Sequence, residues 1–324
     1  MTLSRHQFLH LVGAACATFA FPQLASALDY PTRPVRVIVP LPPGGATSTV
    51  ARIFADHFSA VWKQPIVVEN RPGGNTVIGT AAVAHSAPDG YTLMLAAPSL
   101  STFKALFKEP SVDVEKDLAP ISQLTSFPFV LAVNVDLPVN SLSELIAHAK
   151  KNPGRLNYGA FAAGQMLPSE LFKKVAGIDL FRVPYQGEAL ALTALVRGDV
   201  QVLLTTPVTA QAMIDADRVR ALAVTTSERS PTMPEVPTMA EAGLPEFDAS
   251  NWFGLVAPAN TPLDIRRKIA HEIAVFVKRP DVISRYATLG LTPRSSTPEE
   301  FGRLVSSEIK RWSEVAQFAS IEPQ

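Results

Sequence analysis

The 324-residue chain has a single cysteine, Cys16, and it stands inside an apolar run near the start. That start reads as an export leader. Arg5 precedes an apolar stretch from Phe8 through Phe21, and Ala25, Ser26 and Ala27 form a small-residue cleavage pattern. Removing residues 1–27 takes the only thiol with it, which excludes disulfides, thiolate nucleophiles and cysteine metal sites together. A lipid anchor on Cys16 is disfavoured because Gly13, not a leucine-type residue, stands three places before it. The run is too short, and too soon broken by Pro22, to span a bilayer, and no other segment has the length. The residues Ser4 to Leu9 are similar to a twin-arginine signal except that His6 takes the second arginine's place, so general secretion and twin-arginine export both stay open.

Net charge is absent too, with 29 basic against 29 acidic side chains and no polybasic run longer than Arg266, Arg267 and Lys268. Without phosphate-neutralising patches the chain is not expected to bind nucleic acid. Enzyme motifs are equally scarce. There is no GxSxG elbow, and His57, His85, His148 and His271 lie far apart in sequence. His271 and Glu272 begin like a zinc-protease helix, but Val275 occupies the second histidine position. GlyAlaPheAlaAlaGlyGlnMet (159–166) has phosphate-loop glycine spacing, yet Gln165 and Met166 replace the lysine and hydroxyl that nucleotide binding needs. The expectation is therefore no catalytic residue, no metal and no cofactor.

What the chain does have is alternation of strand-like and helix-like segments. ValArgValIleVal (35–39) reads as a buried strand, Val50, Ile53, Phe54, Phe58, Val61 and Trp62 recur at helical spacing, and ProIleValVal (65–68) is the next strand. The pattern runs on through a helix at 77–85, strands at 91–95 and 129–133, and a capping box of Ser141 and Glu144. Strands at 156–158 and 180–184 flank a helix expected over 169–175. Helix 188–197 and strands 200–204 and 219–224 follow. Strand 252–256, a helix at 263–278 and a last helix from Pro298, capped by Thr297 and Glu300, complete the chain. Two rounds of alternation predict an α/β fold of two doubly wound lobes. Lobe 1 is expected over 28–128 plus 227–324 and lobe 2 over 129–226, with crossover strands near 129–134 and 219–226 and a cleft between.

ValProLeuProProGlyGlyAlaThrSerThrVal (39–50) joins the first strand to the first helix without a lysine or arginine. It is either a proline-stiffened turn or an anion cradle built from backbone N–H groups, the helix N-terminus and the Thr47 and Ser48 hydroxyls.

Seven segments in order, ValProLeuProProGlyGly (39–45), ValValGluAsnArgProGlyGlyAsn (67–75), AlaProAspGlyTyrThrLeu (87–93), ValProTyrGlnGly (183–187), ArgAlaLeuAlaValThr (220–225), ProGluValProThrMetAlaGluAlaGly (234–243) and TrpPheGlyLeuValAlaPro (252–258), resemble the Bug or TctC family. These are extracytoplasmic solute-binding proteins of tripartite tricarboxylate transporters. The resemblance implies a type II periplasmic-binding-protein fold, two lobes joined by crossover strands, that closes on a small organic acid and passes it to membrane permease subunits as a monomer without covalent chemistry. Carried over by position, the ligand-binding residues are Gly44, Gly45, Thr47 and Ser48 from the first loop and Gly159, Ala160, Phe161, Ala163 and Gly164 from the second. Pro98, Ser99, Tyr185, Thr205 and Thr206 are added from other cleft-facing segments.

Two departures bear on the ligand. The family usually has aspartate at the position of Ser48, and its second loop is about two residues longer and carries a histidine that this chain lacks. The resemblance then implies an aromatic or aliphatic carboxylate without a free α-amino group. Two rival functions keep part of this picture: a ligand-binding co-receptor for a membrane sensor kinase, and an exported enzyme acting on small acids.

Overall fold

The computed structural model describes residues 30–323, so the expected leader and Cys16 lie outside the described residues. From Pro31 onward the chain forms one unit built on two sheets. The first half supplies β1 (Val35–Val39), α1 (Ala46–Trp62), β2 (Ile66–Asn70), α2 (Val77–Ala84) and β3 (Thr92–Ala96). A 3-10 turn at Pro98–Thr102 and two short helices, α3 (Phe103–Leu106) and α4 (Val114–Asp117), lead into the long β4 (Leu118–Pro128). Then come β5 (Val130–Asn134), α5 (Leu142–Lys151), β6 (Leu156–Ala160), α6 (Ala163–Ala176), β7 (Leu180–Pro184), α7 (Glu188–Arg197), β8 (Val202–Thr205), α8 (Pro207–Asp215) and β9 (Val219–Val224). The chain ends with β10 (Ser250–Pro258), α9 (Leu263–Phe276), α10 (Pro280–Ala287), β11 (Thr292–Pro293) and α11 (Pro298–Phe318).

The six-stranded sheet has the order β11-β4-β10-β3-β1-β2 and the five-stranded sheet β7-β6-β8-β5-β9. β1 pairs in parallel with β2 and β3, and β6 with β7 and β8, while β10 and β5 run antiparallel to their neighbours. This is the two-lobed α/β binding-protein fold that the alternation and the resemblance predict.

The α1 segment becomes a helix because Val50, Ile53, Phe54, Phe58 and Trp62 fall on one buried face. Val61, read from its spacing as part of that face, is 51% exposed. Lys63 stops the helix in the left-handed region, at φ 51°. In α11 the expected capping box of Thr297 and Glu300 is present. Phe301, Val305 and Ile309 pack with the core of the six-stranded sheet, whereas Trp312 and Ala316 pack with the core on the five-stranded side. The last helix therefore touches both.

Sequence reading missed β4 because Pro120 interrupts it, Pro128 ends it, and its half-buried positions fall every third residue, not every second. Two register shifts against β10 account for that spacing. α6 begins six residues before the expected Ser169. Pro168 reads as a boundary, but α6 runs through it in its second turn, losing the one bond that a backbone N–H would make there and taking the ring against the preceding turn. α8 and α10 were also missed, although each opens with a proline at its first turn.

The chain passes from one sheet to the other between β4 and β5, at Phe129, and back between β9 and β10. Thr225, fully buried, fastens the two passages. Its N–H donates to the Phe129 carbonyl at 3.0 Å and its Oγ1 accepts from the Phe129 N–H at 2.8 Å. The same hydroxyl donates to the Ala249 carbonyl at 2.8 Å, and Ala249 N–H returns a bond to the Thr225 carbonyl at 3.0 Å.

Candidate functional site

Helices that follow parallel strands begin beyond the strands' carboxyl ends, where their free N–H groups face outward. Here the starts of α1, α6, α7 and α8 all border one inner cavity. Gly45 and Thr47 come from α1, Ala162, Gly164 and Gln165 from α6, Gly187 and Glu188 from α7, and Thr206 from α8. The Ala97–Ser99 turn lies between them, and Leu41, Pro42, Asn251 and the rings of Phe127, Phe129, Phe161 and Phe253 complete the lining. The cavity measures about 50 Å³, a narrow space. Each helix start carries a partial positive charge that suits an anion without any basic side chain, and the Glu188 carboxylate at the α7 start already takes up the Thr206 N–H of α8.

Local geometry explains the narrowness. Gly44, at φ +92°, turns the chain into α1. A Cβ on Gly164 would stand 2.5 Å from the Ser99 nitrogen and 2.9 Å from the Pro98 carbonyl carbon, so only glycine lets α6 lie on that turn. Gly187 lies against the Pro42 ring in the same way, with 3.2 Å available. Ala163 N–H donates to Asn75 Oδ1 at 3.2 Å, a further bond between the two sides.

Behind these surfaces sit the braces. Gln165, fully buried, donates to the Gly159 carbonyl and to Ser169 Oγ, each at 3.1 Å. Asn70 donates to the Leu41 carbonyl at 2.8 Å and to Ser48 Oγ at 2.9 Å. Opposite them is Glu188, 8% exposed. Its Oε1 accepts from Thr205 Oγ1 at 3.0 Å and from the Thr206 N–H and Oγ1, both at 2.7 Å. Its Oε2 reaches the Ala46 N–H at 3.5 Å.

Of the residues expected from sequence, Gly45, Thr47, Pro98, Ser99, Phe161, Gly164 and Thr206 line the inner cavity. Ala160, Ala163 and Tyr185 instead border a wider hollow of about 650 Å³ on the far side of Phe161 and Ala162. Burial, followed by the charge of Asp199, holds the Tyr185 hydroxyl above the usual phenol range. Four residues line neither space. Gly44 forms the turn, Gly159 packs inside β6 against Leu203, Thr205 backs Glu188, and Ser48 is turned to Asn70.

Sequence reading passed over Glu188, Gln165, Asn251, Phe127, Phe129 and Phe253 as site residues. Glu188 had a signal, since an acidic residue directly after a glycine helix cap is placed to meet neighbouring N-termini. The phenylalanines had none, because alternation along a strand does not say which face meets a cleft. Among the described residues no group of His, Asp and Glu has the arrangement of a metal site, and no helix is long and apolar enough to cross a membrane.

Comparison with known proteins agrees with this fold. Residues 50–320 match the model of the tripartite tricarboxylate transporter family receptor. Protein BugT of Bordetella pertussis is 38% identical over 315 residues, covering 96% of this chain and 97% of that protein. Among solved structures, Rpa4515 of R. palustris with adipate superposes with a TM-score of 0.88 at 33% identity, covering 91% of this chain and 100% of that one. MatC from Rhodopseudomonas palustris with bound malate gives 0.83 at 34%, covering 89% and 100%.

Proposed function

The chain belongs to the tripartite tricarboxylate transporter receptor family, whose members bind solutes and are not enzymes, and from that premise we propose that it captures a small organic acid in the inner cavity. The carrying observation is the meeting of four helix N-termini on a space that no lysine or arginine lines. Free backbone N–H groups, the Thr47 and Ser99 hydroxyls and water would hold the acid group, and the four phenylalanines suit an aliphatic or aromatic body. After export to the periplasm, the protein acts as a monomer and delivers its solute unchanged to the membrane subunits of a tripartite transporter.

We assign residues 30–128 with 250–311 to one lobe and 129–249 to the other, because Met233, Val236, Met239 and Phe247, expected in the first, pack with the core of the five-stranded sheet. Closure is a hinge at the two passages that Thr225 fastens, drawn by the solute's preference for the closed form. The adipate and malate in the two similar structures support a carboxylate as the solute class.

A thermal-shift screen of organic acids tests the reading. A true solute at about 100 times its Kd adds roughly 2.7 kcal/mol of stability, and small-angle scattering should show compaction with the same compound. Recovery of that solute chemically altered, or no stabilisation by any acid, would overturn it.

A further inference from the structure

Glu188 is the one charged side chain that lines the inner cavity among the described residues. Its two oxygens are unequally served. Oε1 accepts three hydrogen bonds at 2.7–3.0 Å, whereas Oε2 has the Ala46 N–H at 3.5 Å, the outer limit of such a bond. Oε2 also faces Gly45, lying 3.3 Å from where a Cβ would stand. A carboxylate oxygen has room for two donors, and leaving that capacity unused among apolar walls is costly. Phe127, Phe129, Phe161 and Phe253 are those walls, and no cation lines the cavity to balance the charge.

A second carboxylate brought to Oε2 would meet like charge beside apolar walls, with only the distant Ala46 N–H, 3.5 Å from Oε2, to share between the two. A hydrogen-bond donor brought there meets an acceptor already held in place by Thr205 and Thr206. Accepting the organic-acid reading above, we infer that Glu188 is the specificity-determining residue. The solute is an acid that also carries a hydrogen-bond donor, an ammonium, amide N–H or hydroxyl, for Glu188 Oε2, and simple dicarboxylates are turned away. The acceptor that Ser48 does not provide comes from α7 on the opposite side of the cavity. The amine excluded on the strength of Ser48 alone is admitted.

Calorimetry on the mature protein, freed of bound solute, decides this with matched compounds. One set is succinate, succinamate, 4-hydroxybutanoate and 4-aminobutanoate; a second is terephthalate, 4-carbamoylbenzoate, 4-(hydroxymethyl)benzoate and 4-(aminomethyl)benzoate. The best donor-bearing member of a set should bind at least tenfold more tightly than its dicarboxylate. In Glu188→Gln, whose amide donates, the dicarboxylate should gain at least tenfold relative to the other members. Equal or tighter dicarboxylate binding by the unmodified protein overturns the inference even if the variant does not fold, and so does an unchanged ranking in a folded variant. If acids bind without that ranking, only the role of Glu188 falls. If no acid in either set binds, the organic-acid reading falls with it.

Discussion

Two helix starts face each other across the cavity, and they are built alike up to one residue. Gly45 before α1 and Gly187 before α7 are both extended caps without a side-chain hydrogen bond to the helix. α1 then begins with Ala46, Thr47 and Ser48 and has no acidic residue in its first turn, whereas α7 begins with Glu188. The bare start must take an anion from elsewhere, while the other supplies one and shares it with Thr206 and Ala46. One side of the cleft thus provides shape and N–H groups, and the other provides the charge that discriminates.

The largest effect should come from preventing the two sides from meeting. Gly164→Ala places a Cβ against backbone atoms of Pro98 and Ser99, which cannot swing aside as a side-chain tip can. Overpacking of this kind costs about 1–3 kcal/mol, so solute affinity should fall roughly 5- to 150-fold, with a larger radius of gyration in scattering at saturating solute. Gly187→Ala meets only the Pro42 ring, and its loss of affinity should be smaller. Equal losses would mean that the two contacts close together and that the α6 side has no special part.

Next comes the fastening between the sheets. Thr225→Val keeps the shape but leaves the Phe129 N–H and the Ala249 carbonyl without their hydroxyl partner, a cost of about 1–3 kcal/mol for buried groups. Urea unfolding should register that loss. Affinity should change less than in Gly164→Ala, because Thr225 does not line the cavity. A larger change in affinity than in stability would make the passage itself the determinant of closure.

These positions show what could be read without coordinates. The Gly44–Gly45 turn was legible because a glycine-rich link between a strand and a helix restricts the chain to few paths. Gly164 was identified, but its reason was not, since its neighbour Ser99 is distant in sequence and only folding brings the two so close that an added Cβ would stand 2.5 Å from the Ser99 nitrogen. Ser48 was legible as part of a helix start and misjudged in direction. On a helix, successive residues are turned by about 100°, so Thr47 can line the cavity while Ser48 turns to Asn70. β4 escaped because prolines and bulges erase the two-residue period that marks a strand.

That difference between neighbours gives a sharper comparison. Ser48→Ala removes one acceptor from Asn70 Nδ2, which retains the Leu41 carbonyl, and should cost about 1 kcal/mol of stability. The order in which acids bind should be preserved in this variant. A reordering as large as that expected for Glu188→Gln would move the discriminating role back to α1.

The smallest effect concerns the outer face of α1, where the His57 ring lies between Phe58 and Phe276, with centroids 5.1 and 4.6 Å away. Burial, then the Arg279 charge, lowers its pKa below the ordinary value of 6.5, against the opposing pull of Asp281. The unfolded chain therefore binds a proton more readily than the folded one. The stability His57 contributes is complete above about pH 6.5 and is lost as the pH falls through the lower folded value. Because the ring is only half-buried, solvent screening keeps this loss small. The urea midpoint should fall between pH 7.5 and 5 by slightly more in the unmodified protein than in His57→Gln. Solute affinity should be the same in the two proteins across that range, since His57 does not line the cavity. If His57→Gln removes a pH dependence of binding, the outer face of α1 is coupled to the cradle at its start, and the division between a shaping side and a choosing side fails at this helix.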